Sequence, residues 1–257
     1  MRPLRSLLYV PGNRPDRMEK APQYGADGLI LDLEDSVPPP EKPAARENVK
    51  RYLEAGPPLP VFVRIEGWRT PFFEDDVDTV VRPGLIGIRL TKVEDFGYVQ
   101  RVDQMVTQLE TERHMEPGSV ALMLSLETPL GIRSCYDLLS LSPRIIGTSC
   151  GTAQDGDLIR ELGATWTPEG TALLYARSKV LLDARAAGKE VIMDGVFANI
   201  QDEEALAQDT RLGKQLGYTG RLAIHPRQIP IINEIYTPRA EEVEYSRGLV
   251  EAFREAE

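Results

Sequence analysis

The chain has 257 residues, 42% of them hydrophobic and 27% charged, which excludes wholesale disorder and suffices for a sizeable core without disulfide or metal staples. Its 30 Lys and Arg stand against 40 Asp and Glu, a formal charge of -10, so the basic footprint of a non-specific nucleic-acid binder is not expected. Cys135 and Cys150 form neither a disulfide framework nor a CxxC pair, His114 and His225 lie far apart, and no apolar run reaches the ~20 residues of a membrane span.

Strands are expected at Ser6–Val10, Gly28–Asp32, Val61–Ile65, Gly87–Leu90, Ala121–Leu126, Arg144–Gly147, Glu190–Met193 and Leu222–Ile224. Most are continuous apolar runs, as strands buried on both faces are. Between them, helices are expected at Arg14–Tyr24, Glu41–Leu53, Val93–Leu109, Leu130–Leu141, Pro168–Ala187, Asp202–Leu216 and Arg239–Ala256. Pro168 and Glu169 suit a helix start, and Gly188 and Gly217 suit helix ends. Eight strands alternating with helices over this length predict a single (β/α)8 barrel, a TIM barrel, with 236–257 as a C-terminal helical segment. The rival, an open doubly wound sheet, usually carries a GxGxxG or GxxxxGK[ST] after its first strand, and neither occurs. Met1–Arg5 precedes only the short apolar stretch Leu7–Val10, too short for a signal peptide, so a soluble cytoplasmic protein is expected.

In a barrel, residues at the C-terminal strand ends face the active site. Those positions hold Asp32, Glu34 and Asp35 after strand two, Arg64 and Glu66 after strand three, and Thr91 and Lys92 after strand four. Glu127 and Thr128 follow strand five, a Gly-rich loop from Gly147 to Asp155 follows strand six, and Asp194 and His225 end strands seven and eight. Glu127 and Asp155 are the best pair for a hard cation such as Mg²⁺, which takes one or two carboxylates and fills its other positions with water or substrate oxygens. Each has a plainer reading, Glu127 as a surface or capping acid and Asp155 as a helix cap. Arg64 emerges from a buried strand and suits bidentate recognition of a carboxylate, or else bridges Glu34 or Asp35. Tyr9–Arg14, with Arg17 and Lys20, makes a basic first loop fit for a phosphate-bearing ligand or simply a solvated helix face. His225 is a candidate base, or a buried histidine bonded to backbone.

Arg5–Gly12, Leu31–Asp35, Val63–Ile65, Lys92–Glu94, Leu126–Thr128, Gly151–Asp155, Leu174–Arg177 and Ala223–Gln228 together resemble, in order and over essentially the whole chain, the citrate lyase beta subunit and its wider family of citramalyl-CoA and malyl-CoA lyases. The resemblance implies a (β/α)8 barrel, usually trimeric or hexameric, that uses Mg²⁺. It makes Glu127 and Asp155 the metal ligands and Arg64 the contact to a substrate carboxylate. Tyr9 and Lys20 become contacts to the thioester carrier, and Ile224 and His225 line the same pocket. Asp32, Glu34, Asp35 and Lys92 hold these groups in place. The implied reaction is retro-Claisen cleavage of a 3-hydroxy-3-carboxyacyl thioester to a 2-keto acid, such as oxaloacetate, and an acetyl thioester.

The pattern departs from the family at Thr91, where a proline often precedes the lysine, and at Glu66, where an asparagine often follows the arginine strand. Lyases acting on free CoA esters often carry a C-terminal acidic cap, whereas this sequence ends at Glu257. That leaves room for a subunit acting on an acyl-carrier-protein thioester within a larger lyase complex. The other readings are a non-catalytic barrel that binds a keto acid or CoA, and an Mg²⁺-dependent aldolase acting on free 2-keto acids. Val243, Tyr245, Leu249, Val250 and Phe253 form an apolar stripe that either packs on its own barrel or lies at a subunit boundary, where a homo-oligomer, most simply a trimer, is expected.

Overall fold

Residues 3–167 and 169–256 are described in a computed structural model. The roles expected of Pro168, of Met1 and Arg2 in the N-terminal stretch, and of Glu257 in the C-terminal segment lie outside the described residues. Eight parallel strands close into the expected barrel: β1 (Ser6–Pro11), β2 (Gly28–Asp32), β3 (Val61–Arg64), β4 (Gly87–Leu90), β5 (Ala121–Leu126), β6 (Ile145–Cys150), β7 (Val191–Asp194) and β8 (Gly220–Ala223). Pairing of Leu7 with Leu222 and of Leu8 with Ala223 joins β1 to β8 and leaves no open edge. The continuous apolar runs follow from this closure, because each strand meets packed side chains on both faces; β2 and β5 are buried at every residue.

The helices differ from expectation in instructive ways. Arg14–Tyr24 becomes α1 (Pro15–Lys20) and a 3-10 turn, Ala21–Tyr24, because Pro22 cannot donate to the α ladder. Then come α2 (Lys42–Glu54), α3 (Phe73–Val80), α4 (Phe96–Glu112), α5 (Pro129–Arg133), α6 (Cys135–Leu139), α7 (Asp157–Leu162), α8 (Thr171–Ala186) and α9 (Glu203–Leu216). Gly188 and Gly217 have φ of 70° and 111°, the left-handed conformation that ends a helix. After β8, α10 (Gln228–Tyr236) takes the eighth helical position and α11 (Ala240–Ala256) is additional. The C-terminal segment therefore begins after α10 rather than at Tyr236. Every described side chain of α11 is exposed, Phe253 at 68%, so its apolar stripe does not pack on the barrel.

Side-chain alternation sorts the barrel into layers. Leu7, Ile30, Phe62, Met123, Met193 and Leu222 fill the interior. Two residues further along, on the same face of their strands, come Tyr9, Asp32, Arg64 and Ser125. The period of two thus sets a polar layer directly on an apolar plug. Outside the strands a second core packs them against the helices. It contains a buried ion cluster in which Arg177 of α8 bonds Asp194 of β7 and Asp209 of α9, and Arg221 of β8 reaches Asp209 at 2.5 Å. Asp194, expected at the active face, is fully buried in this cluster instead.

Below the barrel, the Glu110 carboxylate of α4 accepts hydrogen bonds from the N–H groups of Gly118 and Val120 at 2.8 and 2.9 Å and from both terminal nitrogens of Arg144 at 2.8 and 2.6 Å. Burial alone would raise its pKa, but the Arg144 pair and the two backbone donors hold it at about 2. A depressed carboxylate stabilises the fold above its unfolded pKa and loses that contribution as pH falls through the folded value. Thermal unfolding between pH 6 and pH 2 is expected to show a fall in stability that begins below about pH 5, and Glu110→Gln to remove about 3 kcal/mol at pH 7 and flatten that fall.

Candidate active site

The C-terminal mouth of the barrel opens into a cavity of about 800 Å³. Tyr9, Asp32, Asp35, Arg64, Lys92, Glu127, Asp155, Ile224 and His225 all line it. The upper ends of β1, β2 and β3 and the loops after β2, β4, β5, β6 and β8 therefore deliver their chemistry to one place, as parallel closure requires. Of the residues expected to contact or support a ligand, Lys20 and Glu34 are not among its lining. Lys20 is exposed at the end of α1, and Arg17, one turn earlier, lines the cavity in its place. Glu34 lies behind the wall, 6% exposed.

Arg64 is held rather than free. Its Nε and Nη2 grip both oxygens of Asp32, each at 2.6 Å, while Nη1 reaches Glu34 at 2.9 Å and Asp35 at 3.2 Å. The bidentate fork expected for a substrate carboxylate is thus occupied by Asp32. A guanidinium has five N–H groups, so one on Nη2 remains for a ligand. Its plane also lies 4.8 Å from the centroid of the Tyr9 ring. Burial opposes ionisation of Asp32, yet the Arg64 charge and hydrogen bonds keep its carboxyl below the usual range. Glu34 shows the opposite balance: burial pushes it up to about 8 despite the same Arg64.

Glu127 follows β5, and its Oε1 accepts the Lys92 N–H at 2.8 Å. Lys92 adopts φ of 49°, a left-handed conformation uncommon outside glycine, which turns its N–H toward that carboxylate. Its Nζ meanwhile reaches Asp157 at 3.3 Å and Glu34 at 3.6 Å. On the other side Gly151 abuts Glu127, where a Cβ would lie 2.7 Å from that of Glu127. Glu127 is therefore fixed in place, and its Oε2 has no hydrogen-bond or ion-pair partner among the described residues. Asp155 is exposed and has no hydrogen-bond or ion-pair partner among the described residues. Among the described residues no three His, Cys, Asp or Glu gather into a metal-holding group. A cation here would rest on two hard carboxylate oxygens and complete its shell with water or ligand, a donor set that fits Mg²⁺ and not a soft metal.

Other strand-end residues have structural duties. Thr128 caps α5 through the Gly131 N–H at 3.0 Å, Thr91 is buried, and Glu66 pairs with the buried Lys42 at 2.5 Å. The two departures from the family pattern thus lie beside the cavity and not in its lining. His225 Nδ1 accepts the Arg227 N–H at 3.2 Å, which in the neutral ring leaves the proton on Nε2 and makes that atom a donor. Tyr9 lies in the polar layer within the barrel, its hydroxyl bonded by Arg89 at 2.7 Å, rather than at the rim where a carrier would pass.

Arg89 is the residue that sequence reasoning missed. It occupies the third position of the short strand Gly87–Leu90, opposite Arg64 in the β3–β4 register, and is 3% exposed. A lone charge within an apolar run was the available signal.

The comparisons with known proteins agree with this geometry. Residues 5–226 match the family described as HpcH/HpaI aldolase/citrate lyase. The citrate lyase subunit beta of Leuconostoc mesenteroides subsp. cremoris is 35% identical over 98% of this chain and 83% of its own. A (3S)-malyl-CoA thioesterase of Cereibacter sphaeroides is 33% identical over 99% of this chain and 85% of its own. The citrate lyase beta subunit of M. tuberculosis, solved with oxaloacetate and magnesium, superposes with a TM-score of 0.74 at 26% identity over 92% of this chain and 98% of that one. With the barrel, the paired carboxylates at its mouth and a match over most of the sequence, the chain belongs to the HpcH/HpaI aldolase/citrate lyase family.

Proposed function

We propose that the protein is a carbon–carbon lyase that cleaves a 3-hydroxy-3-carboxyacyl thioester of the citryl, citramalyl or malyl type into a 2-keto acid and an acetyl thioester. The observation that carries this reading is the placement of Glu127 and Asp155, each with free oxygens, in the same cavity as the guanidinium of Arg64. That combination suits a cation and an anionic hydroxy acid side by side. The relative solved with oxaloacetate and magnesium supports the same ligand classes for this chain.

Glu127 and Asp155 would hold Mg²⁺. When bound, it supplies positive charge that favours ionisation of the substrate hydroxyl and polarises the forming ketone. Arg64 presents its remaining N–H and its charge to the substrate carboxylate, and Asp32 with Glu34 keeps that guanidinium from swinging away. As the hydroxyl proton leaves to a base, the oxygen electrons form the ketone. The carbon–carbon pair passes to the thioester methylene, which takes a proton to become the acetyl group. Water is not consumed, which separates this reaction from thioester hydrolysis.

The full chain, incubated with Mg²⁺ and citryl-, citramalyl- or malyl-CoA or with free hydroxy-keto acids, tests the proposal. Keto acid released without free thiol is the expected result. Free thiol without keto acid would mark a thioesterase, and cleavage confined to free hydroxy-keto acids an aldolase. Binding without turnover of any of them would leave a ligand-binding barrel. The exposed stripe of α11 supports a homo-oligomer, with a trimer favoured, and light scattering with and without residues beyond Thr237 tests it. Acyl-carrier-protein or other lyase-complex subunits remain the expected partners if the CoA esters react poorly.

A further inference from the structure

Among the described residues four arginines are almost fully buried: Arg89, Arg144, Arg177 and Arg221. Three of them pair with carboxylates, Arg144 with Glu110 and both Arg177 and Arg221 with Asp194 and Asp209. Arg89 has no carboxylate partner among the described residues. Its Nε donates to the Tyr9 hydroxyl at 2.7 Å and its Nη2 to the Ser149 hydroxyl at 2.5 Å, both neutral groups, and its Nη1 has no partner among the described residues. A buried cation without a counter-charge is strongly destabilising. Among the described residues the Tyr9 ring, 5.9 Å from its guanidinium carbon, offers only a weak attraction, the barrel plug below is apolar, and the neighbouring hydroxyls need only a neutral donor. Arg89 also lines the cavity and sits beside Arg64 in register. The missing counter-charge is therefore a ligand's.

We propose that Arg89 is the specificity-determining residue of this site: it takes a carboxylate on the substituent of the hydroxyl-bearing carbon, so the substrate is a citryl-type thioester. This deepens the lyase reading and rests on it. Malyl, citramalyl and citryl thioesters share the hydroxyl, the adjacent carboxylate and the thioester arm. They differ only in the third substituent, which is hydrogen, methyl or carboxymethyl. Only carboxymethyl brings a second anion to answer a second guanidinium. With hydrogen or methyl in that place, the Arg89 charge stays buried and unanswered in the complex as well, and such a mismatch discriminates far more strongly than a missing methylene does.

The wild-type chain with Mg²⁺ is expected to favour citryl- over citramalyl-CoA in kcat/KM by at least about a hundredfold. Arg89→Met, close in length and uncharged, is expected to lower that ratio by at least about a hundredfold. Arg89→Gln, which retains hydrogen bonding to Tyr9 and Ser149, guards against misfolding and is expected to shift the ratio in the same direction. A ratio that stays the same in both folded variants, or a wild type that prefers citramalyl- or malyl-CoA, overturns the proposal. Calorimetry of oxaloacetate against pyruvate in the presence of Mg²⁺ separates this from the underlying reading. If no thioester is cleaved but wild type prefers oxaloacetate and Arg89→Met loses the preference, the lyase reading fails and the carboxylate site stands. If thioesters are cleaved and that preference is absent or survives in Arg89→Met, the carboxylate site fails alone.

Discussion

Asp155→Ala is expected to lower kcat/KM for thioester cleavage by at least about a thousandfold, equivalent to about 4 kcal/mol of transition-state stabilisation, while leaving the fold intact. The two effects separate because Asp155 is exposed and unpartnered among the described residues. Removing it breaks no buried contact, and surface substitutions of that kind stay within about 0.5 kcal/mol. Glu127→Ala should match it in turnover but not in stability. The Lys92 N–H would lose its acceptor while the backbone there still holds a left-handed conformation, adding a cost of about 1 kcal/mol. Titration of Mg²⁺ in the presence of oxaloacetate is the direct check. Unchanged binding in Asp155→Ala would remove Asp155 from the metal site. Asp157→Ala is the control, because Asp157 also lines the cavity and pairs with Lys92.

The barrel was legible because parallel strands covered on both faces leave continuous apolar runs, and all eight are visible in the sequence. Boundaries failed where a buried strand carries hydroxyls. Thr148 and Ser149 looked like the start of a loop, yet β6 runs on to Cys150, since the Thr148 hydroxyl donates to Leu124 O at 2.8 Å and Ser149 accepts from Arg89. Helices α3 and α10 were overlooked for different reasons. Phe73–Val80 contains four acids, which mask the apolar positions Phe73, Val77 and Val80. Gln228–Tyr236 contains Pro230, which is tolerated because it falls in the first turn. The six-residue α7 is too short for a periodic signal to register.

The site was legible at strand ends and illegible within strands. Asp32, Arg64 and Glu127 close or follow apolar runs, and Asp155 ends the Gly-rich loop that follows another, so each could be picked out as a candidate. Asp194 and Thr128 follow the same rule but serve packing and capping, because a position at a strand end does not say which face its side chain takes. Alternation does say so. Asp32 follows Ile30 by two residues and Arg64 follows Phe62 by two, so each points into the barrel with its apolar predecessor. The same rule puts Arg89 inside, two residues after Gly87, and sequence reasoning did not apply it there. Choosing between Lys20 and Arg17 requires knowing how α1 turns on β1, which no local pattern encodes.

Arg64→Lys joins the structural and chemical halves of the site and is expected to damage both. The arginine fork meets both oxygens of Asp32, a carboxylate only 1% exposed, and at the same time reaches Glu34 and Asp35. A lysine ammonium is a point charge and cannot hold Asp32 at two oxygens while answering Glu34. Loss of one charge-assisted bond to a buried carboxylate costs about 2 kcal/mol, so the melting temperature should fall by several degrees. Oxaloacetate affinity should fall by about tenfold or more, because the remaining Nη2 N–H has no equivalent in lysine. Asp35→Ala separates the two roles. Asp35 is largely exposed, its 3.2 Å bond to Arg64 is worth at most about 1 kcal/mol, and its removal frees an Nη1 N–H at the cavity wall. That variant is expected to keep its stability and to bind oxaloacetate at least as tightly as the wild type. If Arg64→Lys melts early yet binds oxaloacetate unchanged, the arginine is a strut for the acids around it and the substrate carboxylate is held elsewhere, with Arg89 the nearest unpaired cation in the β3–β4 register.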